Sequence, residues 1–249
     1  MTPAARVMTS CGAVYGGFED AMGHQENESR ERRAATVAAL AREYAAALVA
    51  GDEVAAEIVI REAMEADLGA AEIDDEIIAP ALWLVGELWE RGEISVADEH
   101  LASEISLRVL ALHREVTRVA LNRRNHHVML ATPEGELHTI ALRMVGELLR
   151  AAGYPIVMLG ANVPGHALVA CVRRHRPDIL CLSATVPGMS GPMYRAIDAV
   201  HQAMPSTQFI IGGRSLTAEI RSRAGIVVCQ RVSEAVEAAD ASVKHAQVN

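Results

Sequence analysis

Basic charge and aromatic side chains are scarce in this sequence. Its 23 Lys and Arg residues face 32 Asp and Glu residues, which gives a net charge of −9. An acidic chain argues against a broad nucleic-acid-binding surface, whose usual mark is a basic patch. The basic run 123–127 lies just before a predicted strand, and we interpret it as a solvated linker. Aromatic residues make up 3% of the chain, so each tryptophan is a candidate for a specific role.

Paired cysteines and long apolar runs are also missing. The four cysteines form no C-x-x-C pair, and Cys181 and Cys229 lie in apolar runs, where a free thiol behaves as a small hydrophobe. This usage fits a reducing cytoplasm better than a disulfide framework. The sequence has no signal-peptide pattern and no segment apolar enough to span a bilayer. We therefore expect a cytoplasmic protein without membrane contact.

Most of the first half of the chain has apolar residues at the spacing of amphipathic helices. Residues 1–29 mix Gly, Ser, Thr and polar residues with little periodicity, which predicts a flexible N-terminal segment. Residues 30–122 contain four runs with apolar residues at helical spacing, the first from Glu31, and their short links predict an antiparallel four-helix bundle. Asp52 is a candidate N-cap for the second helix, and Pro80 is expected to bend the third.

Residues 126–249 alternate short, apolar, β-branched runs with helical runs. The five candidate strands are HHVMLATP, YPIVMLG, DILCLSA, QFIIGG and GIVVCQ. Strands that alternate with helices predict a parallel sheet covered on both faces. Five strands in this rhythm favour a flavodoxin-like, Rossmann-type sheet with strand order 2-1-3-4-5. The predicted fold class is α/β with an N-terminal all-α part.

Polar residues follow three of these strands. Glu136 and His138 follow the first strand, Ser183 and Thr185 follow the third, and Gly212–Gly213 follow the fourth. In an open α/β sheet, ligands bind beyond the carboxyl ends of the strands, at the point where the strand order reverses. An imidazole, hydroxyl groups and bare backbone are therefore expected to converge on one edge of the sheet.

The pattern alone leaves the ligand open, although it disfavours several classes. No G-x-G-x-x-G follows strand one, which weakens a dinucleotide site, and the chain has no P-loop. A hydrolytic metal site would need His126 and His127 beside His138, but the two ends of strand one are about 20 Å apart. A domain whose loop histidine binds nothing also remains open.

The residues at this edge resemble the cobalamin-binding domain family over roughly residues 75 to 240. The motifs that carry the resemblance are T-P-E-G-E-L-H-T-I-A, V-M-L-G-A-N-V-P, L-S-A-T and I-I-G-G. In that family a loop histidine ligates cobalt from below, and the nucleotide tail of the cofactor is buried between sheet and helices. The resemblance implies that His138 ligates the cobalt, that Ser183 lines the tail pocket, and that Gly212–Gly213 are its glycine pair.

Neighbouring residues complete the implied site and depart from the family pattern in places. Glu136 stands where the family has Asp, Ala141 where it has Gly, and Thr185 replaces the Leu of S-x-L. Glu136 can still orient the imidazole through its other ring nitrogen, whereas Ala141 adds a methyl group near the path of the tail. Thr139 and Thr185 are assigned to the same cofactor site.

Trp89 precedes the pair Glu99-His100 by nine intervening residues. This W-x9-E-H spacing resembles the CarH-type B12-dependent photoreceptors, in which the tryptophan packs on the upper 5′-deoxyadenosyl group and the Glu and His help to enclose it. The resemblance implies that adenosylcobalamin is held between bundle and α/β domain, and that the protein signals when light breaks the cobalt–carbon bond. The alternatives are a bundle-core role for Trp89 and a solvated helix start for Glu99-His100.

Further expectations follow from the same resemblance. Related photocobilins lack the DNA-binding domain and hold biliverdin beside cobalamin, so biliverdin is a second implied chromophore. The segment before the bundle lacks a winged helix-turn-helix pattern, so we expect no direct nucleic-acid contact and a signal passed through a homodimer or a protein partner. The alternative function is a corrinoid protein that carries a methyl group for a methyltransferase. We expect a light-sensing binding protein and not an enzyme.

Overall fold

A computed structural model describes residues 12–116, 123–221 and 225–246 of the chain. The helical part comprises α1 (Gly12–Ala50), α2 (Glu53–Glu65), α3 (Ala70–Ile73), a π-helical segment (Asp74–Ile78), α4 (Ala79–Glu90) and α5 (Val96–Val116). The α/β part comprises β1 (Val128–Pro133), α6 (Ile140–Ala151), β2 (Ile156–Val163), α7 (Gly165–His175), β3 (Ile179–Ser183), α8 (Ser190–Ala203), β4 (Gln208–Gly212), α9 (Ala218–Arg221), β5 (Ile226–Cys229), a 3-10 turn (Val232–Glu234) and α10 (Ala235–Ala246).

The helical part is a bundle in which α3, the π-helical segment and α4 form one continuous rod. Tyr44, Leu48, Ile73 and Ile77 are among its fully buried side chains. Asp52 caps α2 as predicted, because its side chain accepts a hydrogen bond of 3.0 Å from the Ala55 amide. None of the described helices is long and apolar enough to cross a membrane.

Two predictions about the bundle need correction. The first helix begins at Gly12 and not at Glu31, so the described part of the segment predicted to be flexible, 12–29, is helical; residues 1–11 lie outside the described part of the chain. Pro80 was expected to bend the third helix, but the irregularity lies in the preceding turn, which is π-helical. Proline has no amide hydrogen to donate, so the helical hydrogen bond from residue 80 to the preceding turn is missing.

The five strands form one parallel sheet in the order β2-β1-β3-β4-β5, which confirms the predicted order 2-1-3-4-5. Alternate strand residues enter two different cores, as the two-residue period of a strand requires. Leu180 and Leu182 of β3 pack on the side of α7 and α8. Ile179 and Cys181 pack on the opposite side, against α6 and α10.

Helix α6 joins the two halves of the protein. Met144 belongs to the bundle core, whereas Leu142 and Leu149 belong to the core beneath the sheet. Gly146 permits the close approach of α6 to the sheet, since a Cβ added there would lie 2.7 Å from Cε of Met158 on β2. The bundle and the α/β domain therefore share one helix as a common wall.

Asp75 makes the polar contact between the two halves. Its side chain is 5% exposed and accepts hydrogen bonds from the amides of Val232 (2.7 Å) and Ser233 (3.1 Å). Arg231 donates to Asp75 at 3.3 Å and pairs with Glu76 as well. A bundle residue thus caps the helical turn that leads into α10, an arrangement known to stabilise helix starts.

The neighbouring Asp74 lies inside the π-helical segment and is 3% exposed. One of its carboxylate oxygens, Oδ1, has no hydrogen-bond partner in the described structure. Burial raises the pKa of Asp74 to about 7, and the charges of Asp75 and Glu147 add to this effect. The bundle therefore buries a carboxyl group that changes its charge near neutral pH.

Asp74 should make the stability of the protein depend on pH. Its pKa in the folded state lies above the ordinary 3.8, so the folded state holds the proton more tightly and stability should fall as the pH rises from about 4 to about 7. We expect Asp74→Asn to remove part of this fall, on the order of 2 kcal/mol between pH 5 and pH 8. Chemical denaturation at both pH values measures the difference.

The exposed Asp67 provides the control for this measurement. Asp67→Asn removes the same charge from the surface and should leave the pH dependence of the parent protein in place. The same pH dependence in Asp74→Asn and Asp67→Asn would contradict the assignment.

Candidate functional site

A cavity of about 570 Å³ opens between the sheet and the helices. Its walls come from β3, β4 and β5, from α6, and from the π-helical segment and first half of α4. It lies at the carboxyl ends of β3 and β4, on the edge where the sequence predicted a ligand site. Its size falls within the range of about 300–1,000 Å³ that is usual for small-molecule sites.

The floor of the cavity is largely apolar. Cys181, Ile210 and Cys229 line it, and all three are buried. Burial raises the pKa of Cys181, and burial together with the charge of Glu234 raises that of Cys229 to about 11. Both thiols are therefore protonated and behave as small hydrophobes, as the sequence indicated; the three described cysteines are free.

The predicted glycine pair shapes the upper part of this floor. Gly213 has a φ of +109°, and a Cβ there would lie 2.0 Å from the carbonyl oxygen of Ala184, so no other residue fits. Gly212 is different, because a Cβ there would meet the Cys229 oxygen at 3.4 Å, an ordinary contact. Gly213 is thus required by the backbone, whereas Gly212 keeps space open above β4.

Ser183 and Thr185 also line the cavity, as predicted. Ser183 is 6% exposed, and its hydroxyl group finds no hydrogen-bond partner among the described residues. A hydroxyl group that lines a cavity and has no protein partner is free to exchange a hydrogen bond with a ligand. Ser183 is therefore the polar group inside the cavity that is best placed to recognise a ligand.

Glu136 ties the loop after β1 to the loop after β3. Its side chain is fully buried, and Oε2 accepts hydrogen bonds from the amides of Thr185 (2.7 Å) and Val186 (3.1 Å). Oε1 accepts from the amide of His138 (2.9 Å) and lies 2.7 Å from its ring nitrogen Nδ1. Burial alone would raise the pKa of Glu136, but these hydrogen bonds, with the His138 side chain first, lower it to about 2.

His138 presents its remaining ring nitrogen to the edge of the sheet. Nδ1 is held by Glu136, and the side chain is 52% exposed, so Nε2 is the nitrogen available to a metal. The hydrogen bond to Glu136 raises the pKa of His138; burial opposes this, and the charges of Glu136 and Glu99 add to the rise. A carboxylate behind a histidine is the usual arrangement at metal sites, and glutamate maintains it here in place of aspartate.

The sequence did not indicate the residues that hold this loop in place. Thr132 donates to the Glu136 carbonyl oxygen at 2.6 Å, and Asn162 accepts from the Gly135 amide at 2.8 Å. Asn162 has a φ of +53° and Gly135 one of +90°, which are backbone shapes that Asn and Gly tolerate best. Asn162 belongs to V-M-L-G-A-N-V-P, so its presence there was the available signal.

Thr139 and Ala141 lie at the start of α6. Thr139 is the N-cap residue, but its side chain makes no capping hydrogen bond. Ala141 lines the cavity, as its place near the path of the tail implied. The methyl group of Ala141, which the family's glycine would lack, therefore borders the cavity and leaves it open.

Trp89 and Glu99 lie on either side of the link 91–95 between α4 and α5. Trp89 is 47% exposed, which excludes the bundle-core alternative. The Glu99 carboxylate accepts from the Ser103 hydroxyl at 3.1 Å and lies 2.7 Å from Nδ1 of His100. Helix α5, which carries Glu99 and His100, packs against α6, which begins two residues after His138. The charge of Glu99 contributes to the raised pKa of His138.

Trp83 and Arg214 are among the cavity residues that the sequence did not indicate. Trp83 is 45% exposed and lines the cavity from the bundle side. The guanidinium carbon of Arg214 lies 5.3 Å from the centre of its ring, a cation–π contact across the mouth of the cavity. The scarcity of tryptophan was the signal for Trp83, and the position directly after the glycine pair was the signal for Arg214.

Comparison with protein families supports the same site. Two family models, each described as a B12 binding domain, match residues 126–240 and residues 40–112. The first range contains β1 to β5 with His138 and the glycine pair, and the second contains the rod with Trp83 and Trp89. Together the two ranges span most of the chain.

Two individual proteins are similar to parts of this chain. The HTH-type transcriptional repressor CarH of Myxococcus xanthus is 32% identical over 161 residues, 64% of this chain and 50% of that protein. The trimethylamine corrinoid protein of Methanosarcina barkeri is 28% identical over 136 residues, 53% of this chain and 62% of that protein. This chain thus matches less than two thirds of the length of either relative.

The fold has a counterpart among solved structures. The monomethylamine corrinoid protein of Methanosarcina barkeri superposes with a TM-score of 0.65 at 21% identity, covering 79% of this chain and 94% of that one. The two proteins therefore share a helical part followed by a parallel five-stranded sheet. Since both halves that build the cavity and the His138 edge match B12-binding models, the chain belongs to the B12-binding domain family.

Proposed function

We propose that this protein binds adenosylcobalamin between its helical bundle and its α/β domain and acts as a light sensor. The observation that carries the proposal is the cavity lined by both halves of the chain, at the edge of the sheet where Glu136 holds His138. A sensor of this kind needs one group below the cobalt and others above it. The cofactor would then be enclosed by both halves of the chain.

The residues proposed to lie below the corrin ring are suited to ligate cobalt. Cobalt binds the neutral imidazole, and Nε2 of His138 is available because Glu136 holds Nδ1. Glu136 stays ionised at all ordinary pH values, since its pKa is about 2. It therefore fixes both the tautomer and the orientation of the ring.

The cavity fits the nucleotide tail of the cofactor. Its apolar floor suits a flat heterocyclic base, and the unpaired hydroxyl of Ser183 can donate to a ring nitrogen. Gly212 leaves room above β4 for the body of the base. The cavity opens on the same edge of the sheet as His138, so one ligand can engage both.

The bundle residues fit the upper face of the cofactor. Adenosylcobalamin supplies, when bound, a cobalt–carbon bond that light breaks. Trp89 offers a broad apolar surface to the adenosyl group, and Glu99 can accept a hydrogen bond from a ribose hydroxyl beside His100. Trp89 and Glu99 would lose these contacts if the adenosyl group left, and this difference in contacts between the two states could shift the bundle against the sheet.

The output of the sensor would pass to another protein chain. We include in the proposal a homodimer or a downstream protein partner, without direct contact to nucleic acid. Biliverdin as a second chromophore is also part of the proposal, because of the resemblance to photocobilins. A separate absorption band in the red would be its mark.

A methyl-carrying corrinoid protein is the second candidate function. The observation in its favour is the similarity to proteins such as the trimethylamine corrinoid protein of Methanosarcina barkeri. Such a role needs an upper face that a methyltransferase can reach. In the proposed arrangement the indole of Trp89 would obstruct that access, which favours a sensor.

Light-dependent change in the protein is the test of the proposed function. We expect cobalamin bands in protein loaded with adenosylcobalamin in the dark, and after green light a change in oligomeric state or protease sensitivity. Free adenosylcobalamin also reacts with light, so protein loaded with hydroxocobalamin and illuminated equally is the control. Protein loaded with methylcobalamin that gives up its methyl group in the dark, to an acceptor substrate of an added methyltransferase, would support the second function instead. Absence of any corrinoid band would refute both.

Glu136→Gln should weaken cobalamin binding through His138. Glutamine cannot accept from the imidazole and from the amides of Thr185 and Val186 as well as a carboxylate does, so we expect affinity to fall about ten- to a hundredfold. The exposed Glu134 is the control, and Glu134→Gln should leave the affinity unchanged. Absorbance titration with adenosylcobalamin measures both variants, and equal affinities would contradict the role of Glu136.

The same variant should change the pH dependence of binding. A proton on Nε2 of His138 competes with cobalt, and the Glu136 hydrogen bond raises the pKa of His138. Affinity should therefore fall as the pH drops through that raised pKa. In Glu136→Gln the pKa of His138 is lower, so the fall should occur at a lower pH.

Gly212→Val should fill the cavity without disturbing the sheet. The position has no steric conflict at Cβ beyond the 3.4 Å contact with Cys229, and valine favours strands. We expect adenosylcobalamin to bind at least about tenfold more weakly while Tm stays within about 3 °C of the parent. Gly213→Ala is the contrasting variant and should lower Tm itself. An unchanged affinity in Gly212→Val would place the tail elsewhere.

A further inference from the structure

The mouth of the cavity carries a cation whose charge is not neutralised. Two arginines line the cavity, Arg214 and Arg231. Arg231 pairs with Asp75 and Glu76, whereas Arg214 has no carboxylate partner among the described residues. Arg214 is therefore the cavity residue with an available positive charge.

The backbone on both sides of Arg214 is fixed. Gly213 packs against Ala184, where no side chain would fit. The amide of Ser215 donates to the Ala184 oxygen at 3.2 Å, and the Ser190 hydroxyl donates to the Ser215 oxygen at 3.1 Å. These contacts fix the backbone position of Arg214, which follows β4, against the loop after β3 and the start of α8.

Trp83 restrains the side chain itself. The guanidinium carbon lies 5.3 Å from the centre of the indole ring, a contact that limits the rotamers of Arg214. The N–H donors lie in the guanidinium plane, so this contact leaves them able to bind a ligand. Trp83 also belongs to the cavity wall. The bundle therefore positions a cation that the sheet supplies.

The chemistry of the cavity changes from floor to mouth. Cys181 and Ile210 make its depth apolar, Ser183 and Gly212 form the next level, and Gly213 and Arg214 form the mouth. A ligand that matches this order has an uncharged flat group at one end and an anion nearer the surface. A nucleotide has that order, because its base and its phosphate are separated by a ribose.

We propose that Arg214 binds a phosphate oxygen of the nucleotide tail of the cofactor, with Trp83 positioning its guanidinium. The inference rests on the proposed function and adds a specificity-determining residue to that site. Guanidinium–phosphate contacts are charge-assisted and directional, so Arg214 should contribute to affinity only for corrinoids that carry the phosphate.

Three ligands that differ in the tail separate the contributions. Adenosylcobalamin has base, ribose and phosphate, adenosylcobinamide phosphate has the phosphate alone, and adenosylcobinamide has none of them. We expect Arg214→Gln to weaken binding of the first two about ten- to a hundredfold, the usual effect of losing a hydrogen bond to a charged group. Binding of adenosylcobinamide should change less than about twofold. Equilibrium absorbance titrations of all three ligands measure these affinities.

Matched variants exclude a purely structural effect. Arg214→Lys keeps the charge and should recover part of the affinity, and Trp83→Leu should show a smaller loss with the same dependence on the phosphate. Arg173, exposed on α7, provides the charge control, and Arg173→Gln should bind all three ligands as the parent does. High salt should reduce the difference between parent and Arg214→Gln.

Several outcomes would overturn the inference. An equal loss for all three ligands would mean that Arg214 supports the fold, and a loss confined to adenosylcobalamin would assign it to the base or ribose. In both cases cobalamin binding by the parent would leave the proposed function standing. If the parent protein binds none of the three ligands, the proposed function fails together with the inference.

Discussion

The buried carboxylate of Glu136 is the interaction on which the candidate site depends. Removing a carboxylate from water costs several kcal/mol, yet the pKa of Glu136 falls to about 2 because three backbone amides and one imidazole donate to it. Hydrogen bonds to a charged acceptor contribute about 1.5–3 kcal/mol each, enough to outweigh that cost. The amides come from two different loops. A single charge therefore fixes the orientation of His138 and the path of the chain that lines the cavity.

This arrangement links the two ends of the binding site. Thr185 borders the cavity and donates to one oxygen of Glu136, while His138 engages the other oxygen. A ligand that displaces the loop after β3 would disturb the acceptor of the imidazole, and a reorientation of His138 would disturb the cavity wall. Occupation of the cavity and ligation by His138 are thus expected to be coupled, with no need for a longer pathway through the protein.

The sheet and its order could be predicted because alternation of short apolar runs with helical runs is a local signal repeated five times. The start of α1 could not, since residues 12–29 are polar and Gly-containing and lack the apolar stripe by which a helix is recognised in a sequence. His138, Ser183 and the glycine pair were found because parallel topology brings strand ends together. Contacts between distant segments could not be predicted. Asp75 accepts a hydrogen bond from Val232, 157 residues away, and Trp83 contacts Arg214 across the cavity. Such pairs depend on how two halves dock, which no local pattern encodes.

The contacts between bundle and α/β domain are unequal, and this has a consequence for the proposed sensor. Around Asp75 the halves are joined by buried hydrogen bonds, and along α6 they share a core through Met144. Around Trp89 and His138 the side chains are about half exposed, so the interface there gains few contacts from the protein itself. In the proposed complex, a bound cofactor would supply the contacts between bundle and α/β domain that this side of the interface lacks. Loss of the cofactor contacts would free the side of the interface near Trp89 and His138, while the contacts at Asp75 and α6 remain. The motion expected of the bundle in the proposed sensor is therefore a rotation about Asp75 and α6 and not a separation of the two halves.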